Sequence, residues 1–258
     1  MRKKRWNTTG IVVGLFVLVF LSVKLFTRSR LEERVAEKGE KEGCRIYYLL
    51  NIDGMKGLGH AAFLLVDEQG EGLFYSYNGM QYSLPECLLG KAGIGKMKSF
   101  ALNREQTEQF LTAGDLEVSD TSECDNFDRA LYRCISRGDY EQIKQEAEYY
   151  ITVGDEYEEL YARFYSAGDA KNSQAEQALQ EFSKRDDIPL YQIYHHNCDT
   201  AARECIAAVD KEMEDYNQSG ARLTPAANYK QMYRKLGKCW GAVNLGEDTW
   251  KEKLLWIL

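Results

Sequence analysis

The sequence predicts an α+β domain rather than an alternating βαβ one. Three observations carry this. Aromatic and branched apolar runs separated by Gly-bearing turns gather between residues 44 and 78. A long middle region is built of helix-length stretches with Gly or Asp at their joints. A cysteine-led amphipathic segment follows, so strands and helices are segregated along the chain. The 258 residues suffice for one well-buried core of about 200 residues plus appendages. A net charge of −7 removes nucleic acid from the expected partners, because phosphate binding needs a basic face.

The first 43 residues stand apart. Residues 1–9 form a basic tail with Arg2, Lys3, Lys4 and Arg5. Residues 10–26 are apolar except for Lys24, which lies near enough to the end to snorkel. A helix over Thr8–Phe26 would be about 28 Å long, enough to cross a bilayer core. The segment is expected to be an uncleaved transmembrane anchor, since the following "SVKLFTRSRLEE" has no small-residue cleavage site. The basic tail places the N-terminus in the cytoplasm and the body outside it, although Arg28, Arg30 and Arg34 oppose that bias. A cleaved signal peptide is the alternative. Residues 27–43 form a charged spacer, helical at first, and residues 44–258 form the folded domain.

"CRIYYLLNIDG" (44–54) reads as the first strand. "HAAFLLV" and "LFYSYN" read as the two arms of a hairpin joined by the polar "DEQGEG". "SFALNREQTEQFLTAG" predicts a short strand, then a helix from Asn103. From about residue 104 to 186 the chain is expected to be a helical insertion, including "FDRALYRCISRG". "IPLYQIY" is an extended approach to "HHNCDTAAREC". The helix after Asn197 places Ala201, Ala202, Cys205, Ile206 and Val209 on one stripe. "LTPAANYKQMYRKLG" is expected to be a polar loop. "LLWIL" at the C-terminus is a packed terminal element.

The chain has three histidines, His60, His195 and His196, and two of them flank the cysteine of this last helix. A thiol is nucleophilic as thiolate, and a helix N-terminus lowers its pKa. Asn197 is a good N-cap, which places Cys198 in the first turn. An imidazole that takes the thiol proton completes the activation. His60, at the start of a hairpin arm, is the candidate base, and the returning arm offers Asn78 or Ser76 to orient its ring. Asn78 is the better candidate, because its amide oxygen can accept from the ring N–H. The backbone N–H of Cys198 and the side chain of Gln192 are candidate oxyanion donors.

These segments also resemble a known superfamily. "GHAAFLL" and "GLFYSYNG", followed far downstream by "YHHNCDTAAREC", are similar to the circularly permuted branch of the papain-like, NlpC-like cysteine hydrolases. The "NCD" box resembles the "NCE" box of lecithin:retinol acyltransferase-like enzymes. "CDNFDRALY" and "TPAANY" are similar to hydrolase-like domains at the ends of some bacterial secreted toxins. The resemblance spans about residues 44–245. It implies a permuted papain-like fold, a small antiparallel sheet with a helical insertion, preceded by one transmembrane helix. It also implies Cys198 as nucleophile and His60 as base. The chain departs from the pattern in having His196 where a second Asn or a Thr is usual, and in its long helical stretch.

The expectation is therefore a membrane-anchored cysteine hydrolase or acyltransferase acting on an amide or ester. Cell-wall peptide is the favoured substrate and lipid the second. One alternative is a non-catalytic, membrane-tethered binding module of the same fold. The other is a zinc-binding protein using Cys198, His60 and His195 or His196, with Asp199 as a further ligand, although the spacing matches no standard zinc motif. The seven cysteines allow three disulfides and one thiol, or seven thiols; Cys124 and Cys134 are near enough in sequence to pair. No nucleotide, flavin or haem motif is present, so no organic cofactor is expected.

Overall fold

The domain opens with β1 (Cys44–Asn51), an interior strand of the sheet whose "RIYYLL" run is buried except for Arg45. A strand covered on both faces reads as a continuous apolar run, and β1 has antiparallel neighbours on both sides. In this computed structural model the described residues are 33–36, 43–54, 59–80, 83–115, 126–165, 173–186, 188–220 and 224–245. The expected anchor, the basic tail, Cys124, "LLWIL" and most of the spacer lie outside them. No helix among the described residues is long and apolar enough to cross a membrane.

The other strands are β2 (His60–Val66), β3 (Gly72–Gly79), β4 (Gly93–Leu102), β5 (Arg129–Ile135), β6 (Leu190–Tyr191) and β7 (Gly241–Asn244). They form one seven-stranded sheet in the order β6-β4-β3-β2-β1-β5-β7, and every pairing is antiparallel. The helices are α1 (Leu84–Leu88), α2 (Arg104–Ala113), α3 (Arg137–Tyr165), α4 (Ser173–Ser183), α5 (Cys198–Ala207), α6 (Lys211–Gln218) and α7 (Pro225–Lys235). The α+β class is therefore that expected, and the β2–β3 hairpin stands where the sequence puts it.

Local chemistry explains the boundaries. Asn103 caps α2 reciprocally: its Oδ1 accepts from the Gln106 N–H, and Gln106 Oε1 accepts from the Asn103 N–H, both at 2.9 Å. Gly114 ends α2 at φ 70°, where a Cβ would stand 1.9 Å from the Phe127 carbonyl oxygen, so glycine is required. Alternation along the strands then sorts the two faces. Tyr47, Leu49, Ala62, Leu64 and Phe74 face one way and pack with Phe110 of α2 and Phe127. Tyr48, on the opposite face, meets α5 and α7 through Asp199 and Tyr229.

Four expectations are corrected. "FDRALYRCISRG" is not a helix over most of its length, since Arg129–Ile135 is β5, paired with both β1 and β7, and only Arg137 and Gly138 begin α3. The insertion over 104–186 is thus interrupted by a strand of the main sheet. The expected loop at 223–237 contains α7, with Thr224 Oγ1 accepting the Ala227 N–H and Pro225 opening the helix. Finally, Glu33–Ala36 of the spacer is extended and joins the fold. Arg34 exchanges backbone hydrogen bonds with Ala242 at 2.9 and 2.7 Å, and its guanidinium donates to the carbonyls of Trp240 and Tyr233.

Candidate active site

Cys198 is the first residue of α5 and is buried. The tight turn before it is closed by Gln192 and His196, which exchange backbone hydrogen bonds at 2.7 and 2.9 Å. Asn197 then caps the helix as expected. Its Oδ1 accepts from the N–H groups of Asp199 at 3.0 Å and Thr200 at 3.2 Å, while its Nδ2 donates to the Ile193 carbonyl at 2.8 Å. Ala201, Ala202, Cys205 and Ile206 form the buried stripe that seats the helix.

The β2–β3 ladder runs only from Ala62↔Ser76 to Val66↔Gly72, whereas β2 stays paired with β1 as far as Asn51↔His60. Just beyond that last β3 rung, the Ala61 N–H meets the Cys198 thiol. The thiol therefore sits one peptide from His60. His60 is itself buried, its Nε2 lying 2.9 Å from Ser76 Oγ and its ring 6.3 Å from that of Phe127. Asn78 Nδ2 donates to the same Ser76 oxygen at 3.0 Å. The backbone leaves little freedom here, since a Cβ on Gly54 would lie 2.5 Å from the His60 Cβ. Ser76, not the favoured Asn78, is thus the residue against the imidazole, and Asn78 supports it from one step behind.

The electrostatics differ from the expected activation. Burial pushes the Cys198 thiol up to about 12. The N–H groups of Ala61, Asp199 and Cys198 itself pull the other way, and the neighbouring Asp199 charge adds to the rise. The helix N-terminus does hold an anion, but that anion is Asp199. Its carboxylate accepts from Tyr48 Oη at 2.5 Å, Asn228 Nδ2 at 2.7 Å, and Arg203 Nη2 and Nε at 3.0 and 3.1 Å. Asp199, Arg203 and Asn228 are all buried. Arg203 continues to Asn217, and Asn228 accepts from Tyr216 Oη at 2.7 Å. Sequence reasoning missed this hub. The Asp199/Arg203 spacing of four and the first-turn carboxylate were its visible signals.

The remaining candidates fall elsewhere. The Gln192 side-chain amide donates to the Gly90 carbonyl at 3.5 Å. His195 is exposed, and its carbonyl accepts from Thr200 Oγ1. His196 stacks on Tyr150, with its Nε2 3.1 Å from Glu204 Oε2 and 3.3 Å from the Tyr150 hydroxyl. Among the described residues no three His, Cys, Asp or Glu side chains group as a metal site. The six described cysteines, Cys134 included, are free thiols.

Comparison of the chain with protein families, curated proteins and solved structures finds no match in any of the three.

Proposed function

We propose that this chain is a cysteine hydrolase or acyltransferase of permuted papain-like type, with Cys198 as nucleophile and His60 as general base. The observation that carries the reading is the relay Asn78 Nδ2–Ser76 Oγ–His60 Nε2, ending one peptide from a thiol at a helix mouth. Ser76 Oγ accepts from Asn78 and accepts equally from an Nε2–H of His60. That tautomer leaves the basic lone pair on Nδ1, the nitrogen that this reading assigns to the thiol proton. Ser76 is therefore a positioning residue and Asn78 its support.

In the reaction, Nδ1 takes the thiol proton as sulfur bonds to the carbonyl carbon of an amide or ester. The N–H groups of Ala61, Cys198 and Asp199, which meet the sulfur at rest, are the donors this reading assigns to the oxyanion. The imidazolium returns its proton to the leaving amine or alcohol, the C–N or C–O bond breaks, and a thioester remains on Cys198. Water or an acceptor hydroxyl resolves it. A thiol held neutral at rest makes the base indispensable, because no standing thiolate is available to attack unaided. With an N-terminal membrane anchor and the domain outside the cytoplasm, a cell-wall peptide amide is the favoured substrate and a lipid ester the second.

Burial of the thiol also favours a second reading, a non-catalytic module in which Cys198 only packs. One experiment separates the two. The full chain is incubated with a p-nitrophenyl ester and analysed by mass spectrometry for an acyl adduct. The enzyme reading expects a transient adduct on Cys198 and release of p-nitrophenol, both lost in Cys198→Ala and His60→Ala. A chain that forms no adduct on Cys198, or forms it equally without His60, is not this enzyme.

A further inference from the structure

The Tyr47 face of the sheet is covered in two ways. Over β2 and β3 the cover is α2, through Phe110. Toward β5 and β7 it is the extended segment Glu33–Ala36, fixed by the Arg34–Ala242 backbone pair and by the Ala36 N–H, which donates to Tyr132 Oη at 3.3 Å. Between this segment and the sheet lies a cavity of about 430 Å³. That volume is in the range of small-molecule sites. Arg45 and Tyr47 line the cavity and alternate with Tyr48, which meets Asp199 of α5. The cavity is therefore on the opposite sheet face from α5 and is separate from the site at Cys198.

The lining selects the ligand. Two cross-strand pairs form the floor, Arg45 opposite Cys134 and Tyr47 opposite Tyr132, with the two tyrosine rings stacked 5.6 Å apart. Leu111 and Val243 add apolar wall. The charge of the lining runs against that of the chain. The chain carries −7, yet the described lining holds two guanidiniums, Arg34 and Arg45, to one carboxylate, Glu33. Arg45 is exposed, and its neighbours are the Tyr47 hydroxyl and the Cys134 thiol rather than a carboxylate. An arriving anion thus displaces no ion pair there. Arg34 donates through Nε and Nη1 to backbone carbonyls, while its Nη2 is buried without a hydrogen-bond partner among the described residues. A bare inorganic anion would lose water against Leu111 and Val243 without return, so the ligand needs an apolar body.

We propose that this cavity binds a small amphipathic carboxylate, with its head on the Arg45 guanidinium and its apolar body against Leu111, Val243 and the Tyr47–Tyr132 pair. The planar fork of Arg45 matches a carboxylate through two parallel N–H···O bonds. The tyrosine rings offer the body a broad, flat surface. Cys134 stands beside the head and reports occupancy, because a bound ligand shields its sulfur. The inference stands whether or not Cys198 is catalytic.

The test follows alkylation of Cys134 in the full chain by mass spectrometry while 2-naphthoate is titrated in. Cys239, a half-buried free thiol outside the cavity lining, is the control. The expected result is saturable protection of Cys134, about fivefold when the acid is at about four times its dissociation constant, as mass action requires. Cys239 keeps its rate. The neutral 2-naphthamide should protect far less, and Arg45→Gln should abolish protection by the acid, judged as the ratio of rates with and without ligand in the same variant. Octanoate is run beside naphthoate; protection by either acid supports the site, and the stronger identifies the body as an acyl chain or a ring. Cys134 alkylation unchanged by both acids would overturn the proposal. So would equal protection by the amide, or protection that survives Arg45→Gln, since either would leave a cavity that does not select a carboxylate.

Discussion

Two halves of the mouth of α5 are built on opposite principles. On one side Asp199 is a buried carboxylate surrounded by Tyr48, Arg203 and Asn228, charged and fully hydrogen-bonded. On the other, the adjacent Cys198 is a buried thiol met by backbone N–H groups, one peptide from the His60–Ser76–Asn78 relay, and held neutral. Both occupy the same first turn. The difference shows that a helix N-terminus does not by itself make a thiolate. The anion that the dipole favours is the one whose desolvation is offset by side-chain partners, and here that is the carboxylate. Its negative charge then opposes a second anion beside it.

The sharpest way to break this division is Asp199→Ala. Loss of the carboxylate leaves the Arg203 guanidinium buried without its counter-charge, and about 3–5 kcal/mol of stability should be lost in denaturant unfolding. Asp199→Asn should cost less and should lower the Cys198 pKa, visible as faster alkylation at fixed pH. Tyr48→Phe removes one hydrogen bond to the charged group, at a cost of about 1.5–3 kcal/mol by the same measurement. Asn197→Ala removes the cap shared by both halves and should cost about 1 kcal/mol. Ser76→Ala should change stability by under about 1 kcal/mol yet slow reaction at Cys198, because the ring loses its positioning partner.

The raised thiol also has a pH signature. Its folded value is pushed from an ordinary 9 to about 12, so the native state keeps a proton that the unfolded chain gives up. That contribution to stability is fully present below about 9 and is lost as pH climbs toward 12. Unfolding midpoints of the wild type should therefore fall more steeply over that window than those of Cys198→Ala. Equal slopes would mean that the thiol is not buried as described.

Much of the Cys198 half was legible in the sequence. An Asn before an amphipathic helix, a His at the head of a hairpin arm, and polar residues two apart on the returning arm each have a local signal. The choice between Ser76 and Asn78 was not legible, because it depends on where β3 parts from β2. The Asp199 half was almost invisible, since Tyr48 and Asn228 come from strands and helices 151 and 29 positions away. β5 was misread for a related reason. Ala130, Leu131, Cys134 and Ile135 recur at helical spacing, but pairing with β1 and β7 overrides that period. α7 was missed despite a readable Thr-Pro start.

The most direct test is the pH–rate profile of Cys198 alkylation in the full chain, followed by mass spectrometry of the Cys198 peptide, with and without His60→Ala. The account predicts a rate that rises with imidazole deprotonation, levels off near neutrality, and falls about 100-fold or more without His60, as general-base assistance requires. A rate that climbs tenfold per pH unit toward 12, indifferent to His60, would contradict it and leave Cys198 a packing residue.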